Sequence, residues 1–380
     1  MIKSAYIHIP FCEHICHYCD FNKVFLQGQP VEAYLEMLDK EMELQLSACP
    51  TEGLDTIFVG GGTPTALNED QLRFLCGSIS KRLPLNKGGE YTFEANPGEL
   101  SQEKLQILHD AGVNRLSFGV QSFNDELLKK IGRTHRAADV YRTLEMAQQT
   151  GFTNISLDLI YGLPGQTMED FSETLKKALE LDLPHYSSYS LIVEPKTVFY
   201  NLMQKGKLNL PPQETEAQMY ERLMEEMEKR GLHQYEISNF ARPGFESRHN
   251  LTYWDNEEYY GIGAGAHGYA GGRRIANHGP IKKYMAPLSE GKLPFLEVHE
   301  VPLHEKMEEE MFLGLRKAEG VSMTHFKDKF SVEIGSVFDA PIRDGVEKGL
   351  LQISGDRVFL TKKGKLLGNE VFQTFLGAGE

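Results

Sequence analysis

Alternation of two residue patterns constrains this chain more than any other feature. Apolar, β-branched runs fall at "AYIHI" (5–9), "TIFVG" (56–60), "YTFEA" (91–95), "RLSFGV" (115–120), "ISLDLIYG" (155–162) and "YSSYSLIV" (186–193). Their composition predicts buried strands. Between them, the apolar spacing predicts helices over 31–48, 68–83, 101–111, 137–150 and 168–181. Ser101 stands where the third helix would begin, and Gly112 and Gly151 stand just past the ends of the third and fourth. Strand–helix–strand repeated this often implies parallel strands joined by right-handed crossovers. Six units fit in about 195 residues, short of the eight in a closed barrel. The expected core is therefore an incomplete, open (β/α)6 barrel.

The polar and glycine residues are not spread evenly over this pattern. Cys12, Cys16 and Cys19 follow the first strand, "GGGTPT" (60–65) the second and "EANP" (94–97) the third. Gln121 follows the fourth, and Asp158 to Gly162 lie at the fifth. These are C-terminal strand ends, the rim where barrels and open α/β sheets bind ligands. The opposite ends, "GLD" (53–55) and "NKGGE" (86–90), look like plain turns.

Beyond residue 205 the alternation stops. An amphipathic helix is predicted over 211–232, followed by an aromatic, glycine-rich stretch over 235–269. From about residue 305 helical segments lead to "LLQISGDRVFLTKKG" (350–364), where "SGDR" predicts a hairpin turn. The expected division is a barrel over 1–235, an aromatic extension over 236–300 and a mainly helical, winged-helix-like domain over 301–380. A net charge of −14 argues against nucleic acid as a partner, since phosphate backbones are held by clustered Lys and Arg. There is no apolar run of about 18 residues to cross a bilayer, and the N-terminus lacks an export signal. A cytoplasmic location and reduced thiols are expected. "GAGAHG" (263–268) fits GxGxxG, but no strand is predicted before it and no helix clearly after it, and a nucleotide fingerprint needs both. Cys49 and Cys76 fall in helical segments as packing residues.

Three thiols within "FCEHICHYCDF" (11–21) raise the question of a missing fourth ligand. A four-iron cube held by three thiolates leaves one iron for a small molecule, whereas electron-transfer clusters use four cysteines. A Cys3His zinc site with His8, His14 or His17 is the competing reading. Zinc would leave the glycine-rich and acidic strand ends without a purpose.

CxxxCxxC after a first strand resembles the signature of the radical S-adenosylmethionine enzymes. The resemblance implies a [4Fe–4S] cluster on Cys12, Cys16 and Cys19. It also implies that S-adenosylmethionine chelates the open iron and is cleaved by one electron. "GGGTPT" lacks the lysine of a P-loop; by resemblance, Gly61, Gly62 and Thr63 hold the methionine amino group. Tyr18 occupies the place of an aromatic against adenine. Glu94, Gln121 and Asp158 would share hydrogen bonds with the ribose hydroxyls and amino group, and Arg133 would pair with the carboxylate.

"YIHIPFCEHICHYCDFNK", "GGGTPT", "RLSFGVQSF", "NISLDLIYGLPGQT" and "GIGAGAHG" together resemble the oxygen-independent coproporphyrinogen III oxidase family over nearly the whole chain. On that resemblance Tyr6 is a further ligand contact. Two departures set the chain apart from the oxidases themselves. They carry another cysteine two residues after the third, where Phe21 stands here, and a long arm before the cluster, where only 11 residues precede Cys12. "HNLTYW" (249–254) instead matches the HNxxYW motif of a haem-chaperone branch of the family. Imidazole is the commonest protein ligand to haem iron, so His249 is the expected axial ligand, with His267, His278 and the thiols as alternatives. Tyr253 and Trp254 would stack on the macrocycle, with Asn250 orienting the imidazole. The resemblance thus implies haem binding and delivery to an acceptor, with a membrane haemoprotein among the candidates and without oxidase activity. The competing functions are the oxidase reaction, radical decarboxylation of propionates, and radical chemistry on another tetrapyrrole. The sequence leaves oligomeric state open, a homodimer included.

Overall fold

A computed structural model describes residues 1–378. Six parallel strands form its centre: β1 (Ser4–Ile9), β2 (Leu54–Gly61), β3 (Leu85–Ala95), β4 (Arg115–Gln121), β5 (Asn154–Tyr161) and β6 (His185–Ser190). They run in sequence order, joined by five outer helices, α1 (Val31–Ala48), α2 (Glu69–Arg82), α3 (Gln102–Asp110), α4 (Ala137–Thr150) and α5 (Met168–Glu180), and a sixth, Gln213–Lys229, follows the last strand. This is the open (β/α)6 arrangement that the alternation predicts. Helix starts are set by local chemistry. Asn68 with Gln71, and Thr167 with Asp170, form capping boxes, and Ser101 accepts from the Lys104 amide. Gly151 ends α4 at φ +110, a left-handed conformation that Gly adopts without a Cβ clash. On α5, Phe171, Thr174, Leu175, Ala178 and Leu179 form the buried stripe. The alternate residues Leu116, Phe118 and Val120 of β4 bury outward against the helices. Their neighbours Arg115, Ser117 and Gly119 are left to face inward.

The sheet does not end with six strands. The full order is β12-β11-β10-β9-β1-β2-β3-β4-β5-β6-β8-β7. Here β7 is His233–Glu236, β8 Asn239–Ala241, β9 Tyr259–Ile262, β10 His267–Ala270, β11 Arg273–Asn277 and β12 Phe295–Glu300. Strand β9 pairs parallel to β1, from Ser4↔Tyr259 to Ile7↔Ile262, and β10 to β12 continue antiparallel. So the aromatic, glycine-rich stretch widens the barrel's own sheet. This also corrects the reading of "GAGAHG". A strand, β9, does precede it; the next element is another strand, β10, with no helix to bind a pyrophosphate.

Between β8 and β9 the chain forms a short helix, α6 (Arg248–Trp254), which carries the HNxxYW motif. It closes the end of the barrel opposite the cysteines. Ser4 Oγ and Thr252 Oγ1 lie 2.9 Å apart, and Thr56 Oγ1 lies 2.8 Å from His249 Nδ1. Glu90 receives the helix start from β3: its carboxylate accepts from the amides of Arg248 (3.0 Å) and His249 (3.1 Å). "NKGGE" is therefore not a plain turn. Its last residue is a buried cap on a helix 157 to 159 positions away.

A second apolar core joins Met311, Leu315, Phe326, Phe338, Val358 and Phe375 near the C-terminus. It is built from helices at Leu303–Gly314, Met323–Phe330 and Ile334–Glu347 and a three-stranded sheet that contains the "SGDR" hairpin. That matches the winged-helix-like expectation. Arg316 links this unit to α6 by lying over the Trp254 ring at 4.4 Å. Among the described residues, no helix is long and apolar enough to cross a membrane.

Candidate functional site

The three cysteines sit on a loop folded over the C-terminal rim. Phe11–Cys12 pairs with Val24–Phe25, which pins the loop at both ends. Cys12 is buried, and Thr63 Oγ1 donates toward its sulfur at 3.8 Å. Burial pushes the Cys12 thiol up to about 12, with the neighbouring Cys19 and Cys16 adding to the rise. Arg133 Nη1 lies 3.4 Å from Cys16 Sγ, while Nη2 donates to the Gly119 carbonyl. Tyr18 packs against an apolar cluster of Leu127, Leu128, Ile131, Ile160, Leu163 and Phe199.

Beside this loop the "GGGTPT" turn approaches too closely for side chains. A Cβ on Gly62 would stand 2.8 Å from the Phe11 carbonyl oxygen and 2.9 Å from Cys12 Sγ. Three of its amides are engaged: Gly61 donates to Glu94 Oε2 (3.0 Å), Gly62 to Ile9 and Thr63 to Phe11. The group left for a ligand is carbonyl oxygen, a partner for an ammonium rather than a phosphate. Gln121 adopts φ +67, a left-handed conformation uncommon outside glycine and concentrated at ligand sites.

Below the rim, the open barrel encloses a cavity of about 760 Å³, within the ordinary range for ligand pockets. Tyr6, Gly61, Glu94, Asp158 and His249, five of the residues singled out in the sequence, lie on its wall. The remaining ones, Tyr18, Gly62, Thr63, Gln121 and Arg133, gather around the cysteine loop and the adjoining strand ends. Burial holds the Glu94 carboxyl up at about 7, helped by the nearby Asp158. Burial also raises Asp158, against hydrogen bonds from Ser187 and Ser117 and the charge of Arg115. Tyr6 Oη lies 2.9 Å from His8 Nδ1, whose Nε2 lies 2.7 Å from the Asn22 carbonyl. Phe21 and Leu296, 59% and 55% exposed, make an apolar lip at the mouth.

The motif residues differ from expectation. His249 is almost wholly buried at the cavity base, stacked on Phe58 with ring centroids 5.1 Å apart. Neither ring nitrogen is free: Nδ1 meets Thr56 Oγ1 at 2.8 Å and Nε2 meets Tyr253 Oη at 2.7 Å. Iron ligation by His249 would require it to give up one of these bonds. Burial, then the charge of Arg115, lowers its pKa to about 3, so the ring is neutral. Tyr253, not Asn250, orients the imidazole. Trp254 does not face the cavity, because successive helix positions point about 100° apart and its ring is covered by Arg316. His267 is exposed at the cavity wall, and its ring makes no hydrogen bond among the described residues.

Arg115, Phe58, Ser117, Ser187 and Tyr189 also line the cavity but do not stand out in the sequence; His8, weighed there as a zinc ligand, lines it with them. Period-two reading of the strands finds them. Arg115 and Ser117 alternate with the apolar Leu116 and Phe118 along β4, and Ser187 and Tyr189 stand two apart on one face of β6.

Among the described residues, no three His, Cys, Asp or Glu side chains converge on a single metal ion. A cube of four irons asks for something different, thiolates spaced around its faces. The loop carries three free thiols, a glycine turn pressed against one sulfur and an arginine on another.

The radical SAM superfamily model matches residues 6–178, and the HemN C-terminal domain model matches residues 301–367. The heme chaperone HemW of Bacillus subtilis (strain 168) is 58% identical over 377 residues, covering 99% of this chain and 100% of that protein. The heme chaperone HemW of Lactococcus lactis (strain IL1403) is 49% identical over 376 residues, covering 98% and 97%. Among solved structures, coproporphyrinogen III oxidase (HemN) from Escherichia coli superposes with a TM-score of 0.86 at 24% identity, over 98% of this chain and 90% of that one. That last likeness supports the fold alone.

Proposed function

We propose, from the premise that the chain belongs to the HemW family within the radical S-adenosylmethionine superfamily, that it takes haem into the barrel cavity and passes it to an acceptor haemoprotein. The observation that carries this reading is one continuous cavity of about 760 Å³ with the glycine turn beside the cysteine loop on its upper wall and His249 and Tyr253 at its base. Cys12, Cys16 and Cys19 would hold the [4Fe–4S] cluster. The Gly62 turn leaves room against Cys12, and Arg133 offsets negative charge at Cys16. Gly61, Gly62 and Thr63 would take the ammonium of S-adenosylmethionine. Tyr6, Tyr18, Glu94, Gln121 and Asp158 would surround its ribose and adenine. Arg133 would serve its carboxylate by leaving the Gly119 carbonyl. When bound, the cluster and S-adenosylmethionine would supply reductive C–S cleavage.

His249 is the proposed iron ligand, its Nε2 exchanging the Tyr253 hydroxyl for the metal. A second reading, ligation by His267, is favoured by a ring that has no bond to give up. The apolar lip of Phe21 and Leu296 suits an acceptor that presses on the mouth.

The test is a haem titration of anaerobically reconstituted, brown protein. A shifted Soret band that weakens in His249→Ala but not in His267→Ala supports the first ligand, and the reverse supports the second. Mixing the loaded protein with an apo-haemoprotein should move the Soret band to the acceptor's position. Conversion of coproporphyrinogen III to protoporphyrinogen IX in an anaerobic assay would sink the chaperone reading.

A further inference from the structure

Among the described residues, the Arg115 guanidinium on the barrel floor has no hydrogen-bond or ion-pair partner. Arg115 opens β4, is 2% exposed and lines the cavity. Its Nε is buried. A buried Arg is ordinarily paired, because leaving it unpaired forfeits its hydration without return. Its surroundings do not supply that pairing. Glu94 and Asp158 feel its charge but stay beyond ion-pair distance, and Asp158 is already held by the Ser117 hydroxyl at 3.2 Å. His185 spends its nitrogens on Ser156 and Tyr235, and His249 spends its own on Thr56 and Tyr253.

The position separates Arg115 from the rim. It pairs in register with Thr92 and Asn154, at the lower end of the barrel. Gln121 lies six residues further along the same strand, about 20 Å away at ~3.3 Å per residue. One head group cannot use both ends, so Arg115 is not a second hand on whatever binds beside the cysteines. The ligand that fits is an anionic, planar, bidentate group carried on a large apolar body that fills the cavity between. A guanidinium matches a carboxylate in that geometry.

We infer that Arg115 is the anchor for a propionate carboxylate of haem, a ligand subsite at the floor of the cavity. This rests on the reading that the cavity receives haem.

The test compares haem with its dimethyl ester, in which both propionates are neutral, on cluster-loaded protein followed by Soret difference spectra. Wild-type protein should bind haem about ten- to a hundredfold more tightly than the ester. Arg115→Met should lose that preference by weakening haem alone and leaving ester affinity within about twofold. Arg115→Lys, which keeps the charge but not the fork, should fall between. Equal binding of haem and ester by the wild-type protein overturns the assignment whether or not a variant folds. So does an Arg115→Met protein with an unchanged melting temperature and unchanged preference. Wild-type protein that binds neither porphyrin removes the haem reading itself, and the subsite with it; the two failures are told apart by the wild-type titration.

Discussion

Glu90 offers the sharpest check on how the motif helix is held. Its carboxylate, 6% exposed, accepts from the Arg248 and His249 amides at 3.0 and 3.1 Å, with the Ser247 hydroxyl more distant at 3.5 Å. Hydrogen bonds to a charged acceptor contribute about 1.5–3 kcal/mol each, and a negative charge at a helix start adds about 0.3–1 kcal/mol. These contributions are not additive: removing one partner of a buried charged contact costs about 3–5 kcal/mol in all, so Glu90→Ala should make opening of the helix easier by that amount. At about 1.4 kcal/mol per factor of ten, amide exchange over residues 247–254 should quicken by about a hundred- to a few-thousandfold. Glu90→Gln keeps one acceptor oxygen and should cost about half as much. The assay is hydrogen exchange read by mass spectrometry on the peptide containing α6, with a peptide from α5 as internal reference. An increase of less than about tenfold in the α6 peptide would mean that Glu90 does not hold this helix, and the cavity floor would need another explanation.

Three further outcomes are expected from the same geometry. Gly62→Ala drives a methyl into the Phe11 carbonyl and Cys12 Sγ; iron and sulfide content after reconstitution should drop by more than half, with the circular dichroism of the fold retained. His249 is buried neutral, its folded pKa of about 3 lying below the ordinary value near 6.5. The unfolded chain therefore binds the extra proton between those values, and His249 favours the fold fully above pH ~6.5 and progressively less on acidification toward 3. His249→Gln should flatten the fall of melting temperature below pH 6.5 by one proton's worth, about 1.4 kcal/mol per pH unit; an unchanged slope would show that the imidazole is not buried neutral. Trp254→Ala removes the ring under Arg316 and should cost about 1–3 kcal/mol, seen as proteolysis near residue 303 that precedes loss of the barrel.

The barrel is legible because both of its periods are written in the chain. Strands buried on one side by helices and helices with a single apolar stripe leave repeating marks, as in "RLSFGV" and in the Phe171–Leu179 stripe of α5. The rim residues are legible because chemistry there demands unusual types, three cysteines and three glycines. The features that stay hidden depend on closure. Arg115 looks like any strand-opening arginine until the sheet curls and its alternate face becomes an interior. Glu90 sits in a run of glycine and lysine, and its partners lie more than 150 residues away. Strand β9 escapes a pattern search because "YYGI" is only four residues long and leads straight into a glycine-rich turn. Read in sequence, Trp254 belongs with its neighbour Tyr253, although one residue along a helix is enough to face another way.

That single step has a consequence for how cargo and surroundings communicate. Tyr253 holds the imidazole on the inside while Trp254, next to it on the same short rod, is gripped from outside by the C-terminal unit. A rigid rod cannot swivel to release one without dragging the other. A turn of the rod that frees the imidazole in the interior is therefore felt at the seam between barrel and tail.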